Sequence, residues 1–180
     1  EFDLTTEELR KDINIDFFDL YIIAAGYLGN TSLANNDVDE ALKIAKVNYY
    51  SLIPWIIQIT NERRISKPGS LWVLSSVAGD IGRPSNYQYG SAKAAITIFC
   101  EGLLNRCHNS SFKVRIIKAG LIKTSMSIGK APPFIYMSKE SFAKNLIKKG
   151  NQQGIEYWPW WWRFIINFIS ILPRSIVSKL

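Results

Sequence analysis

The stretch Leu71-Trp72-Val73-Leu74-Ser75-Ser76, followed thirteen positions after Ser76 by Tyr89-Gly90-Ser91-Ala92-Lys93, is the most telling part of this 180-residue chain. Residues 71–75 are apolar on both alternating faces, as in a strand buried within a parallel sheet. A helix that opens at or just before Tyr89 puts Lys93 one turn further along the same face, so an ammonium can sit beside a phenol. A phenol titrates near pKa ~10 in water, and a neighbouring cation favours the phenolate, so such a pair can give and take protons. A tyrosine and a lysine four apart are also ordinary neighbours on a helix surface. The surrounding chain decides between the two.

Residues 18–25, ending at Gly26, and residues 114–119, ending at Gly120, repeat the compact two-sided apolar pattern of 71–75. Helical patterns occupy residues 37–61 and 87–106, giving the strand–helix alternation of a doubly wound, Rossmann-like α/β fold. Ligands in such sheets bind beyond the carboxyl ends of the strands, where Ala25-Gly26, Ser76 and Gly120 lie. Gly26 and Gly120 read either as turn residues or as points where backbone approaches a ligand closely. Pro54 should kink the first long helix; the kink either aims Asn48 inward or serves packing alone.

Length is enough for one domain with a substantial core. With 47% apolar and 13% aromatic residues, the composition is far from that of a disordered chain. The net charge of +7 suits an acidic partner such as a nucleotide or anionic lipid, but the basic residues are scattered, which argues against nucleic acid. Lys144, Lys148 and Lys149 read as a solvated helix face or as a membrane-surface contact. Cys100 and Cys107 fall in one helix, ~10 Å apart along its axis and beyond disulfide reach, and so are expected as free thiols. Free thiols, with no signal segment opening the sequence, point to the cytoplasm. His108 is the single histidine, so zinc sites and a serine–histidine triad lack their ligands or base, and no metal site is expected.

Five motifs in order resemble the short-chain dehydrogenase/reductase family over about residues 3–150: Ile22-Ile23-Ala24-Ala25-Gly26, Val47-Asn48, Leu74-Ser75-Ser76-Val77-Ala78-Gly79, Tyr89-Gly90-Ser91-Ala92-Lys93 and Ala119-Gly120-Leu121-Ile122-Lys123-Thr124. Alanine replaces the usual asparagine before Ala25 and the usual proline at Ala119. The resemblance implies an NAD- or NADP-dependent oxidoreductase that interconverts a carbonyl and a secondary alcohol. It implies Tyr89 as the proton donor and acceptor, Lys93 lowering the phenol pKa and holding the nicotinamide ribose, Ser76 on the carbonyl oxygen, and Asn48 holding a relay water. Ala24, Ala25, Gly26, Gly120, Ile122 and Thr124 are implied as cofactor contacts, the last three around the carboxamide, and Asp3-Leu4 as adenine contacts. It also implies a homo-oligomer. The alternative is a non-catalytic relative serving as a membrane-peripheral or subunit-interaction module.

A whole member of that family opens with a strand, a Gly-rich turn and a helix that holds the pyrophosphate. Here Glu1-Phe2-Asp3-Leu4-Thr5 is similar to a later segment, so the reading expects a sheet lacking its first two strand–helix units. It also expects an unpaired apolar edge at residues 21–25 and weak dinucleotide binding. Residues 1–156 are read as the partial catalytic domain and 157–180 as its aromatic tail. In the tail, a helix is expected from Tyr157, with Pro159 in its first turn and Pro173 as its stop, mostly apolar around its circumference. At fewer than ~20 residues it is too short to span a bilayer. The tryptophans with Arg163, Arg174 and Lys179 suit an interfacial helix at the inner face of a membrane, and packing against the sheet or a second subunit is the other reading. Such tails resemble those of envelope-associated reductases acting on hydrophobic or lipid-linked substrates.

Overall fold

The computed structural model describes residues 17–129 and 131–179. The expected α/β architecture is present. Four parallel strands, β1 (Leu20–Ile23), β2 (Gly69–Ser76), β3 (Phe112–Ala119) and β6 (Gly154–Trp158), pair in the order β1-β2-β3-β6. A small parallel pair, β4 (Ile122–Lys123) and β5 (Met137–Ser138), lies beyond β3. In the register Val73 pairs with Ile23 and Ile116, Ser76 with Ala119, and Ala119 with Trp158, so the carboxyl ends of all four strands open on one side.

Alternation along the strands separates two cores. Leu71, Val73, Val114 and Ile116 pack with Leu52, Ile56, Ile59, Ile96 and Cys100, while Trp72 and Ile117 pack on the other face with Phe142 and Leu146. The first face is covered by α3 (Ile53–Ile59) and α5 (Tyr87–Arg106), with α2 (Val38–Asn48) packed on α5; the second is covered by α6 (Lys139–Lys149). Short helices α1 (Thr31–Ala34) and α4 (Glu62–Ile65) complete the connections. Cys100 and Cys107 are free and buried. Arg115 crosses the second core fully buried: it pairs with Glu156, donates to the Leu146 and Gly150 carbonyls, and lies over the Trp72 ring. Burial alone would raise the Glu156 carboxyl's pKa, but the hydrogen bonds from Arg115, Lys149 and Trp158 outweigh it and hold the group below its ordinary value.

Two expectations are corrected. The helix expected over 37–61 is divided into α2, a 3₁₀ turn at Tyr50–Leu52, and α3. Pro54 sits in the first turn of α3, where it needs no amide partner; its ring excludes the carbonyl of Tyr50 from a continuous ladder, so the helix breaks before it rather than kinking at it. The helix expected from Tyr157 begins instead at Trp162. Tyr157 and Trp158 belong to β6, where they satisfy the open edge of β3, and the tail helix α7 spans Trp162–Ser170, followed by α8 (Arg174–Val177) with Pro173 as its N-cap. On the other edge, β1 is the outer strand among the described residues, and Leu20 and Ile22 are exposed along it. No helix among the described residues is long and apolar enough to cross a membrane.

Candidate active site

At the carboxyl end of β2, Ser76 is extended (φ −147°, ψ 149°), and its Oγ accepts a hydrogen bond from the Ala78 amide at 3.1 Å. That cap opens a single 3₁₀ turn, Val77–Gly79, which is wedged against α5. A Cβ at Gly90 would stand 2.7 Å from the Ala78 carbonyl oxygen, and one at Gly79 would stand 2.7 Å from the Ala94 amide nitrogen. The glycine inside the Tyr-Gly-Ser-Ala-Lys run is therefore required by close approach of helix to turn, and that approach brings Tyr89 to Ser76. Ser76 lies close enough to Tyr89 for its hydroxyl to favour the phenolate. Burial pushes the Tyr89 phenol up to about 12, with the Ser76 hydroxyl pulling the other way.

Lys93 follows one turn later, 3% exposed, with Nζ 5.7 Å from the centroid of the Tyr89 ring. Its ammonium donates to the Leu74 carbonyl at 3.2 Å, and burial brings its pKa down to about 8. Desolvation is the leading cause for both groups, and it moves each toward its neutral form. The Lys93 backbone is pinned as well, since its carbonyl accepts from Ser75 Oγ at 3.1 Å and Thr97 Oγ1 at 2.7 Å.

The loop after β1 joins this group. A Cβ on Gly26 would lie 3.4 Å from Asn48 Oδ1 and 3.6 Å from Lys93 Nζ, so Gly26, Asn48 and Lys93 meet. Asn48 is fully buried and committed to the loop: Nδ2 donates to the Tyr27 and Ile44 carbonyls at 2.6 and 2.8 Å, and Oδ1 accepts from the Tyr27 amide at 3.2 Å. Both amide protons are thus used, and the side chain acts as a clamp on Tyr27. Ala24 and Gly26 are exposed beyond the strand, whereas Ala25 packs toward the core. Asp3 and Leu4 lie outside the described residues.

Beyond β3, the Gly120 amide donates to the Trp158 carbonyl at 2.8 Å, and the indole of Trp162 covers Gly120 so closely that a Cβ would stand 1.9 Å from Nε1. That Nε1 is buried and lacks a hydrogen-bond partner among the described residues. The Thr124 amide donates to Ser127 Oγ at 3.2 Å, and Ser127 Oγ in turn donates to the Ile122 carbonyl. Gly120, Ile122 and Thr124 therefore form one self-braced loop at the end of β3, beside the Ser76–Tyr89–Lys93 group but without a direct bond to it.

With this geometry in view, a family profile described as short chain dehydrogenase matches residues 5–132. The chain belongs to the short-chain dehydrogenase family. An uncharacterized oxidoreductase of Mycobacterium tuberculosis is 30% identical over 160 residues, covering 88% of this chain and 64% of the relative. A hydroxysteroid 11-beta-dehydrogenase 1-like protein of Xenopus laevis is 28% identical over 142 residues, covering 76% of this chain and 48% of the relative. This short-chain dehydrogenase thus spans less than two thirds of the length of either relative. Among solved structures, a short chain dehydrogenase from Burkholderia cenocepacia in complex with NADP superposes with a TM-score of 0.71 at 21% identity, covering 89% of this chain and 68% of that one. A 3-oxoacyl-[acyl-carrier protein] reductase from Brucella melitensis with bound NAD gives 0.61 at 20% identity, covering 75% and 55%. Both share the Rossmann-like fold of this chain.

The sequence reading did not single out Thr97, Ser127, Asp80, Lys118, Tyr157 or Trp162, all of which brace the site. Thr97 lies one turn beyond Lys93 and was open to the same helical spacing argument. The others come from separate elements, and no spacing rule links them.

Proposed function

We propose that this chain carries the reacting centre of an NAD(P)-dependent oxidoreductase interconverting a carbonyl and a secondary alcohol. The observation that carries the reading is the buried Lys93 ammonium. It has three protons to donate and one acceptor among the described residues, Leu74 O, and it sits beside Tyr89 and facing Gly26. Such a group suits the paired hydroxyls of a ribose, and the exposed backbone at Ala24 and Gly26 leaves room for one. A bound nicotinamide cofactor would supply or accept the hydride. With its phenol held near 12, Tyr89 is protonated at neutral pH and serves as the acid that gives a proton to a carbonyl oxygen. Ser76 steadies the same oxygen as charge develops on it, and Asn48 holds the Gly26–Tyr27 backbone in place. Gly120, Ile122 and Thr124 offer backbone and hydroxyl groups to a carboxamide. The names of the relatives and the nucleotides in the two solved neighbours support the same assignment.

The test is turnover by the full chain with NADH or NADPH and a panel of ketones, followed by nicotinamide absorbance, with calorimetry for cofactor affinity. Tyr89→Phe should abolish turnover and keep cofactor binding. Activity retained in that variant would refute the assignment of the acid.

The finer proposal for residues 157–180, read as a tail of the same domain, is attachment to an anionic membrane surface. Trp160, Phe164, Phe168 and Ile171 are 70%, 63%, 62% and 77% exposed and recur along one side of the tail, with Arg163 and Arg174 beside them. The substrate would then be hydrophobic or lipid-linked. Co-sedimentation with phosphatidylglycerol vesicles should be lost in Phe164→Ser/Phe168→Ser. Binding that is equal in both would remove the idea, and a concentration-dependent dimer lost in the same variant would favour a second subunit as the occupant.

A further inference from the structure

Asp80, Lys118 and Tyr157 form a cluster of titratable groups that the proton chemistry above does not use. They come from the turn after β2, from β3 and from β6. Lys118 is the ladder partner of both Ser75 and Tyr157, so these three occupy one row across the sheet, the last before the carboxyl ends at Ser76, Ala119 and Trp158. Lys118 Nζ pairs with Asp80 Oδ1 at 2.5 Å and donates to Tyr157 OH at 3.3 Å, while Tyr157 OH donates to Asp80 Oδ2 at 3.0 Å. The ion pair is largely buried, with side chains 12% and 15% exposed. Burial alone would lower the Lys118 pKa, but the hydrogen bond and charge of Asp80 outweigh it and hold the ammonium above its ordinary value.

The position of Asp80 gives the cluster a purpose. The Asp80 amide donates to the Val77 carbonyl at 3.2 Å and so closes the turn that the Ser76 hydroxyl opens. Toward α5 the turn is stopped by backbone contacts at Gly79 and Gly90. On the other side, Lys118 and Tyr157 hold its closing residue to β3 and β6. A turn fixed at both ends and against one wall leaves Ser76 a single place relative to Tyr89.

We propose that Asp80, Lys118 and Tyr157 are positioning residues that hold the Ser76 turn in place beside Tyr89, and that Tyr157 makes this placement depend on β6. The consequence for Ser76 and Tyr89 as reacting groups rests on the oxidoreductase reading; the geometric coupling does not. Removing Lys118 leaves the Asp80 carboxylate largely buried with one neutral partner, so the turn must shift to hydrate it. Removing only the Tyr157 hydroxyl keeps the ion pair and loosens its third contact.

The experiment reads the Tyr89 ring directly, in full chain carrying [13Cζ]-tyrosine at pH 7. The resonance is assigned by its loss in Tyr89→Phe, and Ser76→Ala gives its position without the serine hydroxyl. Lys118→Met should move the Tyr89 resonance toward the Ser76→Ala position, Lys118→Arg should restore it, and Tyr157→Phe should move it part of the way. A Tyr89 resonance unmoved in a folded Lys118→Met overturns the proposal. Should Lys118→Met fail to fold, Tyr157→Phe decides, and an unmoved resonance there overturns it equally. In turnover assays the same variants should lose kcat several-fold with cofactor KM unchanged. Turnover unchanged in these variants would sever the positioning role from the proposed chemistry and leave the NMR result standing.

Discussion

Replacing Lys93 with methionine should make this protein more stable at neutral pH while removing its proposed ribose contact. The ammonium is 3% exposed, and its pKa falls from 10.5 to about 8 because burial disfavours the charged form. A displacement of that size corresponds to about 3 kcal/mol of desolvation cost at pH 7. The sign follows from proton counting. Between about pH 8 and pH 10.5 the unfolded chain binds the proton and the folded chain does not, so stability rises with pH through that window and the cost is fully present below it. Methionine keeps an unbranched apolar stem but gives up the hydrogen bond to the Leu74 carbonyl, a loss of about 1 kcal/mol. The net gain at pH 7 is about 2 kcal/mol, or roughly 5 °C in Tm for a chain of this size. The gain should shrink above about pH 8 and vanish by about pH 10. Urea unfolding of parent and Lys93→Met, followed by tryptophan fluorescence from pH 7 to pH 10, measures the difference directly. A variant no more stable at pH 7, or an advantage that does not change with pH, refutes the claim that the ammonium is desolvated.

Cofactor binding should return Lys93 to its protonated state: calorimetry of NADP or NAD titrated into the full chain near pH ~8.5, in buffers of differing ionisation enthalpy, should show uptake of more than half a proton, and none in Lys93→Met. Gly90→Ala drives a Cβ into the Ala78 carbonyl and should cost about 1–3 kcal/mol in urea unfolding, with turnover falling further than stability because Ser76 and Tyr89 are pried apart. Glu156→Gln strips the buried Arg115 of its carboxylate and should cost about 3–5 kcal/mol by the same assay. Because the Glu156 pKa lies below its ordinary value, the parent's advantage over this variant is present at neutral pH and should fade as pH falls through the carboxylate range.

The strand–helix alternation could be read from residues 71–76 and 87–106 because both halves of the signal are local. Two-sided apolarity marks a buried strand, and a twenty-residue helix is observed with the bounds that its pattern suggested. The proximity of Tyr89 and Lys93 follows from helical spacing alone. Strand β6 escaped notice because Gly154-Ile155-Glu156-Tyr157-Trp158 mixes charge with aromatics. Its place at the edge of β3 is set by Glu156 meeting the buried Arg115, a contact between residues 41 apart. The motif offered Asn48 as a candidate site residue, but its use as a backbone clamp depends on where Tyr27 lies.

Spacing along the chain thus specifies which groups recur on one face, and that was sufficient for the parallel sheet, the α5 helix and the Tyr89–Lys93 pair, while Ser76 joined them only through the family resemblance. Burial is a property of everything packed around a group, and only the assembled fold decides it. Assembly desolvates both Tyr89 and Lys93, which raises the phenol's pKa and lowers the ammonium's. It likewise joins Asp80, Lys118 and Tyr157, which no periodicity connects, into a brace behind the Val77–Gly79 turn.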